Sequence, residues 1–275
     1  MIEARGNLFD AAVSCLGEPD PARKQALTLA AAESWRAGQL SADASGAGAV
    51  LDLPGRPARP ELVPPRDLKP RKLTNRQGRG AMIHAVAHIE FNAINLAWDA
   101  VQRFRGMPAD FYHDWIRVAV EESEHFGLMH ERLQDLGYAY GDFPAHDGLW
   151  GMARATAHDP MVRMALIPRV MEARGLDVTP AMIERFEVAG DQETAARLGV
   201  ILRDEVSHVA IGSHWFRRLC EERALDAGAL YFDLLERYLP GGIRCPLNLP
   251  ARRQAGFDDT ELERLQLLCR SARVA

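Results

Sequence analysis

Apolar residues recur at helical spacing along most of the chain. A spacing of three and four residues predicts amphipathic helices. Four such regions are predicted, at residues 74–106, 108–137, 149–190 and 191–223. Thr74 and Gln77 form a pattern typical of a capping box at the start of the first region. Valine and isoleucine do not occur in alternating runs bounded by turns, so the pattern predicts an all-α protein.

The third helical region is less regular than the others. Asp159-Pro160 is a cap and first-turn pair, and it predicts a new helix start within the region. Gly175 and Thr179-Pro180 are expected to interrupt the helix again. The connection between the first and second regions is very short, so these two helices are expected to be antiparallel neighbours.

The segments that flank the four regions differ in composition. Residues 1–38 predict two short helices, the second capped at Asp20-Pro21. Residues 39–73 are rich first in Gly, Ala and Ser and then in Pro, and they are either an arm across the bundle or a loose linker. A further helix is expected at 227–239, with one or two short helices after it. We therefore divide the chain into residues 1–73, 74–223 and 224–275, the last packed on the bundle.

Composition and charge exclude several classes of protein. Hydrophobic residues make up 47% and charged residues 26% of the 275 residues, which is ordinary for a globular protein. The net charge of −5 gives no general attraction to nucleic acid or to an anionic membrane. No apolar run is long enough to cross a membrane, and the first residues lack the layout of a signal peptide. The four cysteines are far apart, which predicts free thiols in a reducing compartment and a cytoplasmic protein.

Two Glu-x-x-His motifs lie on apolar helix faces, at Glu122–His125 and Glu205–His208. Residues three apart on a helix share a face, so both side chains of a motif can bind one metal ion. Each motif alone is a weak signal. Both lie on the stripe expected to face the core, however, where an unpaired carboxylate is costly and a metal ion is one of few suitable partners.

Two single glutamates complete a repeated pattern. Glu90 and Glu172 lie on the apolar stripes of the first and third regions. Glu122 follows Glu90 by 32 residues and Glu205 follows Glu172 by 33, so each half of the chain offers Glu plus Glu-x-x-His. Four carboxylates and two imidazoles match the ligand set of di-iron and di-manganese carboxylate bundles. The predicted ligands of two metal ions are Glu90, Glu122, His125, Glu172, Glu205 and His208.

Acidic residues beside the motifs are candidates for a supporting role. Asp204 and Glu121 are placed to accept a hydrogen bond from a ligand histidine on the opposing helix, although for Glu121 a solvated surface position is the favoured interpretation. His84 lies nearly two turns before Glu90 and could approach the site. In the competing interpretation the buried glutamates pair with arginines, for which Arg163, Arg169 and Arg203 are the candidates.

Longer stretches of the chain resemble a known family. They are Pro54–Pro57, Pro60–Pro65, Ala87–Glu90, Tyr140–Trp150, Glu172–Pro180, Asp204–Gly212 and Asn248–Phe257. In these stretches the chain resembles a ferritin-like family of uncharacterised bacterial proteins, catalogued as a domain of unknown function. The resemblance implies a ferritin-like fold and metal binding, without a known reaction. More distantly, the chain is similar to the bacterial tRNA hydroxylase, a di-iron monooxygenase that acts on a modified adenosine.

Three functions are compatible with these patterns. The first is a di-iron oxidase or hydroxylase that uses dioxygen, an electron donor and a small or nucleoside substrate, with manganese as the alternative to iron. The second is non-catalytic metal handling, and the third is a bundle that a metal only stabilises. A basic cluster could contact tRNA phosphates, although a solvated face beside the proline-rich arm is the commoner explanation. Its members are Arg66, Lys69, Arg71, Lys72, Arg76 and Arg79, opposed by Asp67.

Overall fold

The structure, a computed structural model, describes residues 6–68 and 72–271 and confirms the predicted all-α fold. The helices of the first part of the chain are α1 (Leu8–Gly17), α2 (Pro21–Arg36), α3 (Arg76–Arg103), α4 (Ala109–Asp135) and α5 (Gly148–Ala155). Those of the second part are α6 (Pro160–Leu166), a π-helical segment (Ile167–Glu172), α7 (Ala173–Val188), α8 (Gln192–Glu222), α9 (Ala227–Tyr238), α10 (Leu249–Gln254) and α11 (Asp259–Ser271). A short parallel pair, β1 (Gly6–Asn7) and β2 (Leu40–Ser41), is the only sheet among the described residues.

The chain forms two compact units, Met1–Arg154 and Ala155–Ala275. This boundary lies between the two predicted helix hairpins, and the division into three domains stays a prediction. In the first unit, α3 packs along α4, and α1 and α2 pack against this pair. Trp98 of α3 is fully buried and donates its indole N–H to the hydroxyl of Thr28 on α2 at 2.9 Å. An aromatic body with one satisfied polar atom is well suited to such a core position.

The proline-rich segment of the first unit is fixed to its neighbours by backbone hydrogen bonds. Leu51 exchanges two bonds with the side-chain amide of Gln102 on α3. The N–H of Gly55 donates to the carbonyl of Leu16 at the end of α1, and Val63 donates to Ala145. Because of these contacts, the described part of this segment is an arm that lies against α1 and α3, and not a loose linker.

In the second unit, α8 packs against α6, the π-helical segment and α7. Gly212 allows the close approach, since a Cβ atom at this position would lie 2.1 Å from Cγ of Pro168 in the π-helical segment. In a π-helical segment the backbone hydrogen bonds join residues five apart instead of four, and such segments often occur at functional sites. Here it ends at the candidate ligand Glu172.

Two predicted local features are wrong. The first long helix is capped by Asn75, which accepts the N–H of Gly78, rather than by a capping box at Thr74. Helix α7 runs without interruption through Gly175 and Pro180. Proline removes the N–H that would bond to the carbonyl four residues earlier. That carbonyl belongs to Leu176, and it accepts a hydrogen bond from the side chain of Asn248 at 3.0 Å instead.

The predicted state of the cysteines is correct for two of the four. Cys15 and Cys220 are free and buried, whereas Cys245 and Cys269 form a disulfide. The two are 24 residues apart in the sequence, and the fold brings α11 to the segment before α10. The expectation of four free thiols is therefore wrong, and the cytoplasmic location inferred from it stays a prediction. Among the described helices, none has the length and apolar character needed to cross a membrane.

Candidate metal centre

Helix α3 carries the first candidate ligand on its most deeply buried face. Ile83, Ala87, Ile94 and Ala97 are at most 1% exposed, and Glu90 lies among them at 3%. Their spacing of three and four residues makes this the core stripe of the helix, as predicted. A carboxylate in such a position is stable only with a partner that compensates its charge or holds its proton.

Helix α4 brings the first Glu-x-x-His motif to the same place. Glu122 and His125 are 0% and 1% exposed. Nδ1 of His125 lies 3.4 Å from Oε2 of Glu122 and 3.8 Å from Oε2 of Glu90. Each of the three residues offers one ligand atom within 4.8 Å of the others. The first unit therefore joins three of the predicted ligands, from two different helices, in one buried group.

The donor set of this group fits a metal ion. Two ligand atoms that each lie about 2.1 Å from one ion are about 3.0–3.5 Å apart, so the observed separations are close to those of shared coordination. Carboxylate oxygen and imidazole nitrogen together suit iron, manganese and zinc. The buried Glu and His side chains could therefore hold a metal ion.

The second unit contains the other Glu-x-x-His motif on α8. Glu205 and His208 are buried, and Nδ1 of His208 lies 3.8 Å from Oε1 of Glu205. The i,i+3 spacing thus brings the two side chains together, as in the first unit. Glu172, the remaining predicted ligand, is 9% exposed and closes the π-helical segment.

The residues expected to support the ligands have other contacts as well. Asp204 accepts a hydrogen bond from Nε of its neighbour Arg203 at 3.0 Å. Glu121 is partly exposed on α4. Their support of a ligand histidine stays a prediction. His84 is buried and accepts the backbone N–H of Gly141 at 2.9 Å while stacking on Tyr140, which fixes its ring.

One arginine proposed as an alternative partner of the buried acids is engaged elsewhere. Arg169 is fully buried and donates to Oε1 of Glu261 at 2.6 Å. Its guanidinium also lies 4.3–5.0 Å from the ring centroids of Tyr231, Phe257 and Phe216. Sequence reasoning did not single out Glu261, because a lone acidic residue in a short amphipathic helix carries no distinctive spacing.

The basic cluster is only partly described. Lys69 and Arg71 lie outside the described residues. The Arg66 side chain is 86% exposed, and it lies 3.8 Å from Asp67. Arg76 donates to the backbone carbonyl of Leu136 at 2.6 Å, so its charge helps to join the start of α3 to the end of α4. A contact with nucleic acid stays a prediction.

Comparisons with known proteins assign the chain to a family. The model of a family described as "Protein of unknown function (DUF455)" matches residues 17–263. A protein of Haemophilus influenzae, described as "Uncharacterized protein", is 49% identical over 214 residues, which cover 75% of this chain and 74% of that protein. No solved structure matches the chain significantly. The chain belongs to the DUF455 family.

Proposed function

We propose that the protein is a ferritin-like metalloprotein whose centre holds two metal ions, iron or alternatively manganese. The observation that carries the proposal is the buried group of Glu90, Glu122 and His125 on α3 and α4. The repeat in the sequence extends it, since Glu172, Glu205 and His208 present the same residue types in the same order. In the proposed centre each half of the sequence supplies one Glu and one Glu-x-x-His motif.

The charges of the proposed ligands support this assignment. Four carboxylates carry a charge of −4, which two divalent cations compensate, so the complete centre is close to neutral and tolerates burial. One histidine and two carboxylates per metal ion leave coordination positions open for solvent or a substrate. A chain with a closed, structural site is expected to fill these positions with protein ligands.

We further propose that the centre serves a di-iron oxidase or hydroxylase. Iron held by such ligands would react with dioxygen, which is the chemistry that an oxidase or hydroxylase needs. The chain's own contribution is a rigid, water-poor setting: α3 and α4 hold the side chains of Glu90, Glu122 and His125 inside an apolar core. The distant similarity to a tRNA hydroxylase suggests a modified nucleoside as the substrate class. Metal handling without an organic substrate and a purely structural metal are the alternatives.

Loading with iron and exposure to air tests this function. Anaerobic protein is given ferrous iron and mixed with air-saturated buffer, and absorbance is followed in the near-ultraviolet and visible range. We expect oxidation faster than that of free ferrous iron, and we expect His125→Ala to abolish the acceleration. His130→Ala is the matched control, because His130 is on the same helix and outside the buried group. Oxidation at the rate of buffer alone would reject the oxidase hypothesis and favour a purely structural metal.

Metal stoichiometry separates the two-metal centre from a simpler site. We expect two metal ions per chain in the loaded wild type and fewer in Glu205→Ala, because Glu205 belongs to the proposed set. One ion per chain that is unaffected by Glu205→Ala would mean that the first unit alone binds the metal, and it would contradict the two-metal proposal.

A further inference from the structure

The first unit contains a cavity of about 130 Å³ outside the group of candidate metal ligands. Its walls come from the proline-rich arm, from α3 and from the segment that leads into α5. The lining includes two charged side chains, Arg56 of the arm and Asp147 just before α5. Both belong to exposed residues, so solvent and a ligand can reach them. The cavity thus offers one positive and one negative group.

The cavity and the candidate metal ligand Glu90 lie on different faces of α3. Asn92 lines the cavity, and Glu90 does not. Two positions along a helix turn the side chain by about 200°, so the two residues point in nearly opposite directions. Glu90 lies 3.8 Å from Nδ1 of His125 on α4, whereas Asn92 faces the arm. The cavity is therefore a separate candidate site, and its ligand does not depend on the proposed metal centre.

The guanidinium of Arg56 is only partly used by the arm. Its Nη1 donates to the carbonyl of Pro60 at 3.1 Å and to that of Pro57 at 3.5 Å, which fixes the group at the cavity wall. Within the described part of the chain, Nε and Nη2 donate to no protein group. These two atoms form one edge of the guanidinium, and such an edge matches the two oxygens of a carboxylate.

The carboxylate of Asp147 lacks a donor of its own. Burial raises its pKa, and attraction to Arg154, Arg56 and His146 opposes this shift without supplying a hydrogen bond. Burial also raises the pKa of Tyr140, another lining residue, and Arg56 again opposes the shift, so the positive charge lies near both walls. A partly desolvated carboxylate is stabilised by a cationic N–H donor. A ligand that carries an ammonium group would supply one.

Asn92 adds a neutral acceptor to the same cavity. Its Nδ2 donates to the carbonyl of His88 at 2.8 Å and lies 3.1 Å from Nε2 of that histidine, which fixes the orientation of the amide. Oδ1 accepts no hydrogen bond from any described residue, and it is not among the partnerless atoms that are closed off from solvent. An accessible oxygen that is held in place can accept a further N–H of an ammonium group.

The remaining walls are apolar and fixed by packing. Leu53 and Leu62 of the arm line one side, and the ring of Phe91 packs on Tyr140 with 5.5 Å between the centroids. The hydroxyl of Tyr140 lies 2.9 Å from Nδ1 of His88, so it is already engaged. A cavity of about 150 Å³ holds benzene, and the present one therefore suits a molecule of about the size of glycine or alanine.

We infer that this cavity binds a small zwitterion, an α-amino acid with a short side chain. Its carboxylate binds the Nε and Nη2 edge of Arg56, and its ammonium group binds Asp147 and Oδ1 of Asn92. The side chain packs against Leu53 and Leu62. One positive and one negative wall select against the simpler ions, because Asp147 repels a phosphate and Arg56 repels a metal cation.

Three probes of similar size test this inference on the full-length protein. L-alanine carries both charges, propionate only the carboxylate and ethylamine only the ammonium group. Calorimetry and ligand-observed NMR measure their binding. We expect L-alanine to bind at millimolar concentration or below, and the other two to bind about tenfold more weakly or less, because each lacks one charge-assisted contact. No binding of L-alanine at millimolar concentration, or equal binding of propionate or ethylamine, would overturn the inference.

Variants of the two charged walls place the binding in the cavity. Arg56→Gln and Asp147→Asn should each weaken L-alanine by about tenfold or more, and both residues are exposed, so the fold should be kept. Melting temperatures check this. Arg59→Gln and Glu61→Gln are the matched controls, because both residues are exposed on the same arm and outside the cavity lining. They should leave binding unchanged. Undiminished binding in both Arg56→Gln and Asp147→Asn would show that L-alanine binds elsewhere and would reject the site.

Discussion

At the scale of single residues, buried charged side chains of this protein use different kinds of partner. Arg169 meets an opposite charge in Glu261 and the faces of three aromatic rings. Lys24 is fully buried on α2 and instead donates to the carbonyls of Cys15 and Leu16, both at 2.8 Å. These two carbonyls belong to the last turn of α1, whose acceptors have no partner within the helix. The buried amine of Lys24 thus caps the C-terminal end of α1 and links α1 to α2.

Burial lowers the pKa of Lys24 from 10.5 to about 7, and only weaker attraction to Cys15 and Glu18 opposes this shift. Between pH 7 and pH 10.5 the unfolded chain therefore binds more protons at this residue than the folded chain does. The free energy of unfolding should rise with pH across this window, by at most about 1.4 kcal/mol per pH unit. Below pH 7 the Lys24 side chain is protonated in both the folded and the unfolded chain. The folded protein then bears the full cost of a buried ammonium, and the free energy of unfolding no longer changes with pH at this residue.

The variant Lys24→Met isolates this effect. We expect the free energy of unfolding of the wild type, minus that of the variant, to rise by about 1–2 kcal/mol between pH 7 and pH 8.5. Urea unfolding at each pH measures both values. Staying below pH 9 keeps the Cys15 thiol out of the measurement, since burial raises its pKa from 9.0 to about 12. A difference that does not change with pH would show that Lys24 keeps its proton throughout.

At the scale of helices, α7 shows how a distant residue can keep a proline inside a helix. Pro180 leaves the carbonyl of Leu176 without its usual donor, and Asn248 supplies one from the segment before α10. The Oδ1 atom of Asn248 accepts the N–H of Ala251 and so caps α10 as well. One side-chain amide therefore serves two helices.

We expect Asn248→Ala to destabilise the protein by about 1–3 kcal/mol, through the loss of a cap and of the donor to Leu176. Pro180→Ala restores a backbone N–H to Leu176, so the cost of Asn248→Ala should be smaller in that background. Urea unfolding of the four proteins in a double-mutant cycle measures the coupling. Equal costs in both backgrounds would show that the bond to Leu176 contributes nothing.

At the scale of the whole molecule, metal binding and folding should be linked through Glu122. A metal ion that binds only the folded protein adds about 2.7 kcal/mol at 100 times its dissociation constant. Glu122→Ala should therefore lower both metal content and the melting temperature of the loaded protein. Without metal, the same change should be neutral or stabilising, because it removes one of several crowded buried acids.

Calorimetry with and without metal measures this linkage, and Glu124→Ala is its control. Glu124 is two residues from Glu122 on α4, and it is exposed. It should change neither metal content nor melting temperature. Equal destabilisation by Glu122→Ala in both conditions would favour a network of protein groups over a metal centre.

The sequence by itself determined the all-α fold class and singled out the candidate ligands. A helix repeats every 3.6 residues, so local spacing was enough to predict the buried stripe of α3 and the shared face of each Glu-x-x-His motif. Glu90, Glu122 and His125 could be singled out in this way, because a carboxylate on an apolar stripe is unusual. The six-residue ligand set itself stays a prediction that rests on the repeat.

Only the tertiary structure decided features that join residues far apart along the chain. The disulfide between Cys245 and Cys269 and the donor from Asn248 that preserves α7 both depend on the course of a connecting segment. Spacing carries no information on that course, because loops of similar composition can follow many paths at similar cost in chain entropy. The partner of a buried polar group is therefore settled by packing, whereas the fact that the group is buried can be read from local periodicity.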